Sequence, residues 1–236
     1  MCGCKLVAIL VAVSLIAGAK GNAGPTEVTT LSASQAKKLI DAEPVVLYLT
    51  EVESISPDVA AALAKHDGIA VYLTGLTSLS PAVATALSGD GARLILTGLE
   101  AVDDATAEAL ALHKRSVDLG GLTELSSVSL ARKLAAQRGT LWLNGLTELN
   151  PDVAAALANC GDGISLSGLS SISLESAQAL AKHRGSLWLE GIKTMDPAVA
   201  QALSKHNGFL FLGSRGDFTD EARSALRANP DIRFSE

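Results

Sequence analysis

The sequence predicts an α/β solenoid in which each turn contributes one short strand and one short helix. Three observations carry that expectation. The first is self-similarity. The second leucine of a Leu-x-Leu-like pair recurs at Leu49, Leu73, Leu96, Leu119, Leu143, Leu166, Leu189 and Leu212, at intervals of 24, 23, 23, 24, 23, 23 and 23 residues. The second is that each unit switches from strand-like alternation to helical spacing half-way through. The third is composition. Of 236 residues 48% are hydrophobic, yet only two Trp, two Tyr and four Phe occur, so the core is built from Leu, Val, Ile and Ala. A mean hydropathy of +0.31 and a net charge of −6 exclude a disordered tail, a collagen-like rod and a strongly basic nucleic-acid binder.

The first segment stands apart from the fold. Met1 to Lys5 carries one lysine, Leu6 to Ala17 is uncharged and apolar, and Ala17-Gly18-Ala19 supplies small residues. This is the pattern of a secretory signal peptide over 1–19, too short in its apolar run to span a bilayer. The rival reading is a retained anchor flanked by Lys20, the one route by which a membrane enters. Cys2 and Cys4 precede the apolar run, so it lacks the cysteine placement of a lipoprotein. Cleavage near Ala19 leaves Cys160 alone and the exported chain without an internal disulfide.

The mature chain reads as a single repeat domain over 25–236. A half-unit at 25–44, with Leu31, Ala36 and Leu39, covers the first turn. Eight units fill about 45–229, and Ile232-Arg233-Phe234 in 230–236 adds a last strand. Within a unit, Leu141-Trp142-Leu143 alternates as a strand, Gly145 breaks it, and Leu146 and Leu149 fill the turn. Asn150-Pro151 starts a helix: Asn accepts from free backbone N–H groups and Pro suits the first helical position. Ser56, Ser80, Asp103, Ser173, Asp196 and Thr219 are the equivalent caps. Val153, Ala154 and Leu157 form the inward stripe, and Gly68, Gly139 and Gly185 are expected to end helices.

One such unit cannot bury a core, so successive units stack, with their strands in one parallel sheet. Helices need ~8–10 Å between axes and strands only ~4.8 Å, which bends the stack into a right-handed arc with its sheet concave and its helices convex. In its Leu-x-Leu cores, such as Leu187-Trp188-Leu189, and its turn leucines Leu146 and Leu149, the chain resembles the leucine-rich-repeat superfamily. The resemblance is strongest to short-repeat arrays of exported bacterial proteins. It runs from Glu27 to about Phe234, and departs from the family where Leu146 replaces the usual turn asparagine. It implies binding, usually of protein, through the concave sheet, and no catalytic residues.

The residue between the paired leucines faces that sheet. It is Tyr48, Tyr72, Ile95, Asp118, Trp142, Ser165, Trp188 and Phe211 in turn. Both tryptophans, both tyrosines and a phenylalanine of an aromatic-poor chain thus share one row. Beside it run Thr50, Thr74, Thr97, Gly120, Asn144, Ser167, Glu190 and Gly213. Rings next to polar tips suit a protein, peptide or glycan; the competing explanation is cross-strand packing of strand-favouring residues. The predicted ligand-binding set is Tyr48, Tyr72, Asp118, Trp142, Ser165, Trp188, Phe211, Asn144 and Glu190. Trp142 and Trp188 are its anchors, two turns and roughly 10 Å apart.

A second row closes the helices: His66, Asp90, His113, Gln137, Cys160, His183, His206 and Asn229. Cys160, His183 and His206 on consecutive turns raise a zinc site or a Cys–His nucleophile. Side chains bonding terminal helix carbonyls, with His⁺ on the helix dipole, is the plainer reading, and neighbouring helices stand too far apart for ~2 Å metal bonds. Arg215-Gly216-Asp217 spells an adhesion tripeptide without supporting context. No phosphate-cradling loop, HExxH or Ser-His-Asp signature occurs. The expectation is an exported, non-catalytic binding or scaffold module needing no metal or cofactor, with a purely structural array or a Cys160 enzyme as alternatives.

Overall fold

The computed structural model describes residues 30–42, 45–214 and 218–234. The segment read as a signal peptide and Arg215-Gly216-Asp217 lie outside them. Strands of two or three residues alternate with helices of seven to nine. The strands are β1 (Val46–Tyr48), β2 (Ala70–Tyr72), β3 (Arg93–Ile95), β4 (Val117–Asp118), β5 (Leu141–Trp142), β6 (Ile164–Ser165), β7 (Leu187–Leu189), β8 (Leu210–Leu212) and β9 (Ile232–Phe234). The helices are α1 (Ala33–Asp41), α2 (Pro57–Leu63), α3 (Pro81–Leu87), α4 (Asp104–Ala111), α5 (Val128–Ala135), α6 (Pro151–Leu157), α7 (Leu174–Leu180), α8 (Pro197–Leu203) and α9 (Asp220–Leu226). Each helix packs on its neighbours in chain order. Among the described residues no helix is long and apolar enough to cross a membrane.

The leucine register is the one the repeat requires. All eight marker leucines are buried, and one hydrophobic cluster runs from Leu31 to Ile232. Val153, Ala154 and Leu157 lie wholly inside it. In the N-terminal half-unit Thr30 bridges Ser54 in parallel, so α1 closes the first turn.

Every helix-cap residue expected from the sequence sits at a helix N-cap, with Ser127 filling the remaining turn. Asp103 accepts from Thr106 N–H at 2.7 Å and Asn150 from Asp152 N–H at 2.8 Å. Asp196 alone makes no side-chain cap bond. The helix ends differ from expectation. Ala64, Ala136 and Ala181 are the C-caps, in ordinary right-handed geometry. Gly68, Gly139 and Gly185 come three or four residues later, and only Gly139 has positive φ, +88°. Gly68 is needed for space, because a Cβ there would lie 2.6 Å from the Val45 carbonyl oxygen.

Glycines also answer for the missing turn asparagine. A Cβ at Gly75 would stand 2.5 Å from the Thr50 carbonyl oxygen, and at Gly145 2.6 Å from that of Leu122. Backbone bonds then cross between turns directly, as in Gly145 N–H to Gly120 O (3.2 Å) and Thr147 N–H to Thr123 O (3.1 Å). Close backbone approach replaces a side-chain ladder.

The strands are parallel throughout but form two sheets, β1–β4 and β5–β9, where one was expected. The reason is a side chain. β3 already uses the Ser116 and Asp118 carbonyls, so the backbone groups of Val117 point toward β5. Gln137 takes both: Val117 N–H donates to its Oε1 at 3.2 Å, and its Nε2 donates to Val117 O at 3.0 Å. The connection then turns through Gly139, whose N–H donates to Asp162 Oδ2 at 2.7 Å.

Candidate functional site

The sheet face away from the helices collects the expected row in register. Tyr48 pairs with Tyr72, Tyr72 with Ile95, and Ile95 with Asp118 in the first sheet. In the second, Trp142, Ser165, Trp188, Phe211 and Arg233 are successive partners. The seam therefore divides the aromatics into two patches.

In the first patch Tyr48 and Tyr72 stack at 4.8 Å between centroids. Ile95 is buried, and Asp118 is held by Arg93 Nη2 at 3.4 Å and by Gly120 N–H at 3.2 Å. The second patch is a column. Trp142 and Trp188 stack at 6.1 Å, and Trp188 and Phe211 at 5.2 Å with planes only 5° apart. The two tryptophans stand closer than the separation of their strands suggested, because Ser165 between them is too small to keep the rings apart. Ser165 itself is only 2% exposed; its hydroxyl donates to Asn144 Oδ1 at 2.6 Å, and Ser167 N–H donates to the same oxygen at 3.1 Å. Ser165 thus fixes Asn144 from below and is no surface contact. Glu190 remains exposed, with Ser167 Oγ at 3.5 Å.

Three contributors escaped the sequence reading. Phe209 joins Phe211 at 6.4 Å and is 48% exposed, and Arg233 lies over the Phe209 ring at 5.5 Å. Gly163 clears a space for Trp188, since a Cβ there would sit 2.6 Å from its Cζ3. The position of Phe209, just before a Leu-x-Leu pair, was the available signal.

The histidines and the cysteine of the helix-end row are buried, whereas Asp90 is exposed. His66, His113, His183 and His206 are each at most 2% exposed. The bonds of His113, His183 and His206 reach back to the preceding turn, not to their own helix ends, while His66 Nε2 makes none. His113 meets Leu87 O through Nδ1 (3.2 Å) and Ala92 O through Nε2 (3.1 Å); His183 meets Ala158 O, His206 meets Gly185 O, and Asn229 Nδ2 donates to Ser204 O and His206 O. Burial lowers all four imidazole pKa values, so the charge–dipole role is replaced by a neutral ladder. Burial likewise raises the pKa of the Cys160 thiol, which disfavours the thiolate a nucleophile needs. Among the described residues no three His, Cys, Asp or Glu side chains come together as metal ligands.

Strand, glycine turn and capped helix, repeated on a leucine register with parallel pairing, decide the architecture. The chain is a leucine-rich-repeat-like solenoid. No protein-family model matches this solenoid, and no curated protein is similar to it. Among solved structures it is similar to an internalin of Listeria monocytogenes, at 19% identity and a TM-score of 0.41, with 87% of this chain and 71% of that one covered.

Proposed function

We propose that the solenoid is an exported, non-catalytic binding module that holds a protein or peptide against the open face of its second sheet. The signal-peptide pattern over 1–19 supports export, and its removal leaves the repeat domain. The observation that carries the reading is the column of Trp142, Trp188 and Phe211, with Trp142 54% exposed on a regular strand. Asn144 and Glu190 flank it as polar contacts, and Tyr48, Tyr72 and Asp118 extend it across the seam. Glycan binding fits less well. Sugars stack on open ring faces, whereas here Trp188 lies between Trp142 and Phe211, which leaves its edges for contact. Ring edges beside polar groups match the core and rim of a protein interface.

The stacking equally favours a second reading, in which the rings only reinforce the sheet. Trp142→Ala/Trp188→Ala separates the two. The binding reading expects partners captured by the wild-type chain to be lost from the double variant. Stability then falls only by the two ring contacts, about 0.5–1.5 kcal/mol each, or roughly 2–4 °C per kcal/mol. Retained partners with a much larger fall in Tm would make the column structural.

A further inference from the structure

The helix-end row holds both amides and imidazoles, beside Asp90 and Cys160. Gln137 and Asn229 stay neutral at every pH, whereas the four histidines do not. His183 and His206 occupy consecutive turns with their rings stacked 5.9 Å apart at 20°, and both are buried. One nitrogen of each has a carbonyl partner: Ala158 O for His183 Nδ1 at 3.4 Å and Gly185 O for His206 Nε2 at 3.0 Å. The other nitrogens, His183 Nε2 and His206 Nδ1, are buried without a partner. A neutral ring tolerates this. A second proton creates an N–H that makes no hydrogen bond as the rings stand, and a charge with no counter-ion.

The pair sits at the root of the aromatic column. Ala158 opens the connection that ends at Gly163, on which the Trp188 ring rests. Gly185 leads into β7, which carries Trp188, and the connection after His206 leads into β8, which carries Phe211. We infer that His183 and His206 form an acid-sensitive latch, whose protonation loosens these connections, splays Trp142, Trp188 and Phe211, and releases what the column holds. Only the release step rests on the proposed binding face.

The surrounding charges do not offset a proton. Cys160 on the preceding turn is kept as the thiol by burial. Asp162, Lys182, Arg184, Lys205 and Asp231, in the flanking connections, are exposed. The carbonyls of Ala158, Ser186, Asp162 and Cys160 favour a proton on His183, and those of Gly185, Phe209 and His183 favour one on His206, but burial outweighs them. His183 further opposes charge on His206.

Trp142 and Trp188 are the only tryptophans in the chain, so their emission reads the column directly. The mature chain is titrated from about pH 7.5 to about pH 5, above the range where carboxylates protonate. The expected result is a reversible red shift with its midpoint below about 6.5. His183→Gln/His206→Asn, which borrows the neutral occupants of the same row, abolishes it, and His66→Gln/His113→Gln retains it. The same shift in His183→Gln/His206→Asn, or no shift in wild type, overturns the latch. If that double variant fails to fold, the imidazole resonances of the wild-type chain decide. Titration of both rings in step with the emission supports the latch, and titration at or above the ordinary value with constant emission overturns it. None of these readouts needs a partner, so a failed binding reading leaves them intact. A captured partner held equally at both pH extremes while the emission shifts overturns the release step alone.

Discussion

A Cβ at Gly98 would overlap the Thr74 carbonyl oxygen, because successive turns touch backbone to backbone there. Gly98→Ala therefore forces the turns apart and is expected to lower stability by about 1–3 kcal/mol. Gly161→Ala is the control, since nothing lies within 4 Å of its added Cβ and the site is exposed. Urea unfolding of both variants checks the pair; since Gly→Ala otherwise stiffens the unfolded chain and stabilises the fold, equal changes in the two would mean that the contact with Thr74 carries no cost. At Cys160 the same close packing governs reactivity. Its Sγ lies 3.9 Å from the Gly163 carbonyl oxygen, and burial raises its pKa. Native protein at about pH 8 is expected to resist a thiol-specific reagent until it unfolds. Rapid modification of the folded chain would instead reveal an accessible thiolate and revive the nucleophile reading.

At the level of elements, the caps show what a sequence can and cannot state. Ser80 Oγ accepts from Val83 N–H at 3.3 Å, whereas Asp196 occupies the same position without a bond. Ser80→Ala is expected to cost about 1 kcal/mol and Asp196→Ala only a few tenths; thermal melts of the two variants test the contrast. Helix starts were legible because Ser, Thr, Asp or Asn recurs at one position of the repeat, often before Pro, and has one local use there. Helix ends were not. Gly68 and Gly185 look like C-caps in sequence, yet they answer to steric demands from neighbouring turns that no local pattern contains. The strand register was legible too, since alternation leaves one choice when leucines must be inside. The column was legible only as a row: that Trp142 and Trp188 meet over Ser165, or that Phe209 and Arg233 join them, depends on side-chain volumes across the five strands β5–β9.

Across the whole molecule the period of 23 foretold stacking but not the seam, because Gln137 differs from its row neighbours by chemistry that only the gap beside Val117 gives meaning. Repeat arrays are stabilised by each unit and by its interface with the next, so one weak interface divides the array. Here the hydrophobic cluster is continuous and α4 packs on α5, while strand pairing stops between β4 and β5, Gln137 closes the gap, and backbone bonds resume only in the turns, as from Gly145 N–H to Gly120 O. Val117 is 1% exposed, so removing that amide leaves its N–H and C=O without protein partners in a partly buried site. Gln137→Ala is expected to cost about 1–3 kcal/mol for each such group, less whatever water recovers. It is also expected to uncouple the halves. Native-state hydrogen exchange would show the amides of Leu73 and Leu96 opening more easily than those of Leu166 and Leu187, because the four-stranded sheet has fewer neighbours to hold it. The wild-type chain would show one common opening energy for all four. Equal opening energies in Gln137→Ala would mean that side-chain packing across the seam, and not the glutamine bridge, makes the two sheets fold as one.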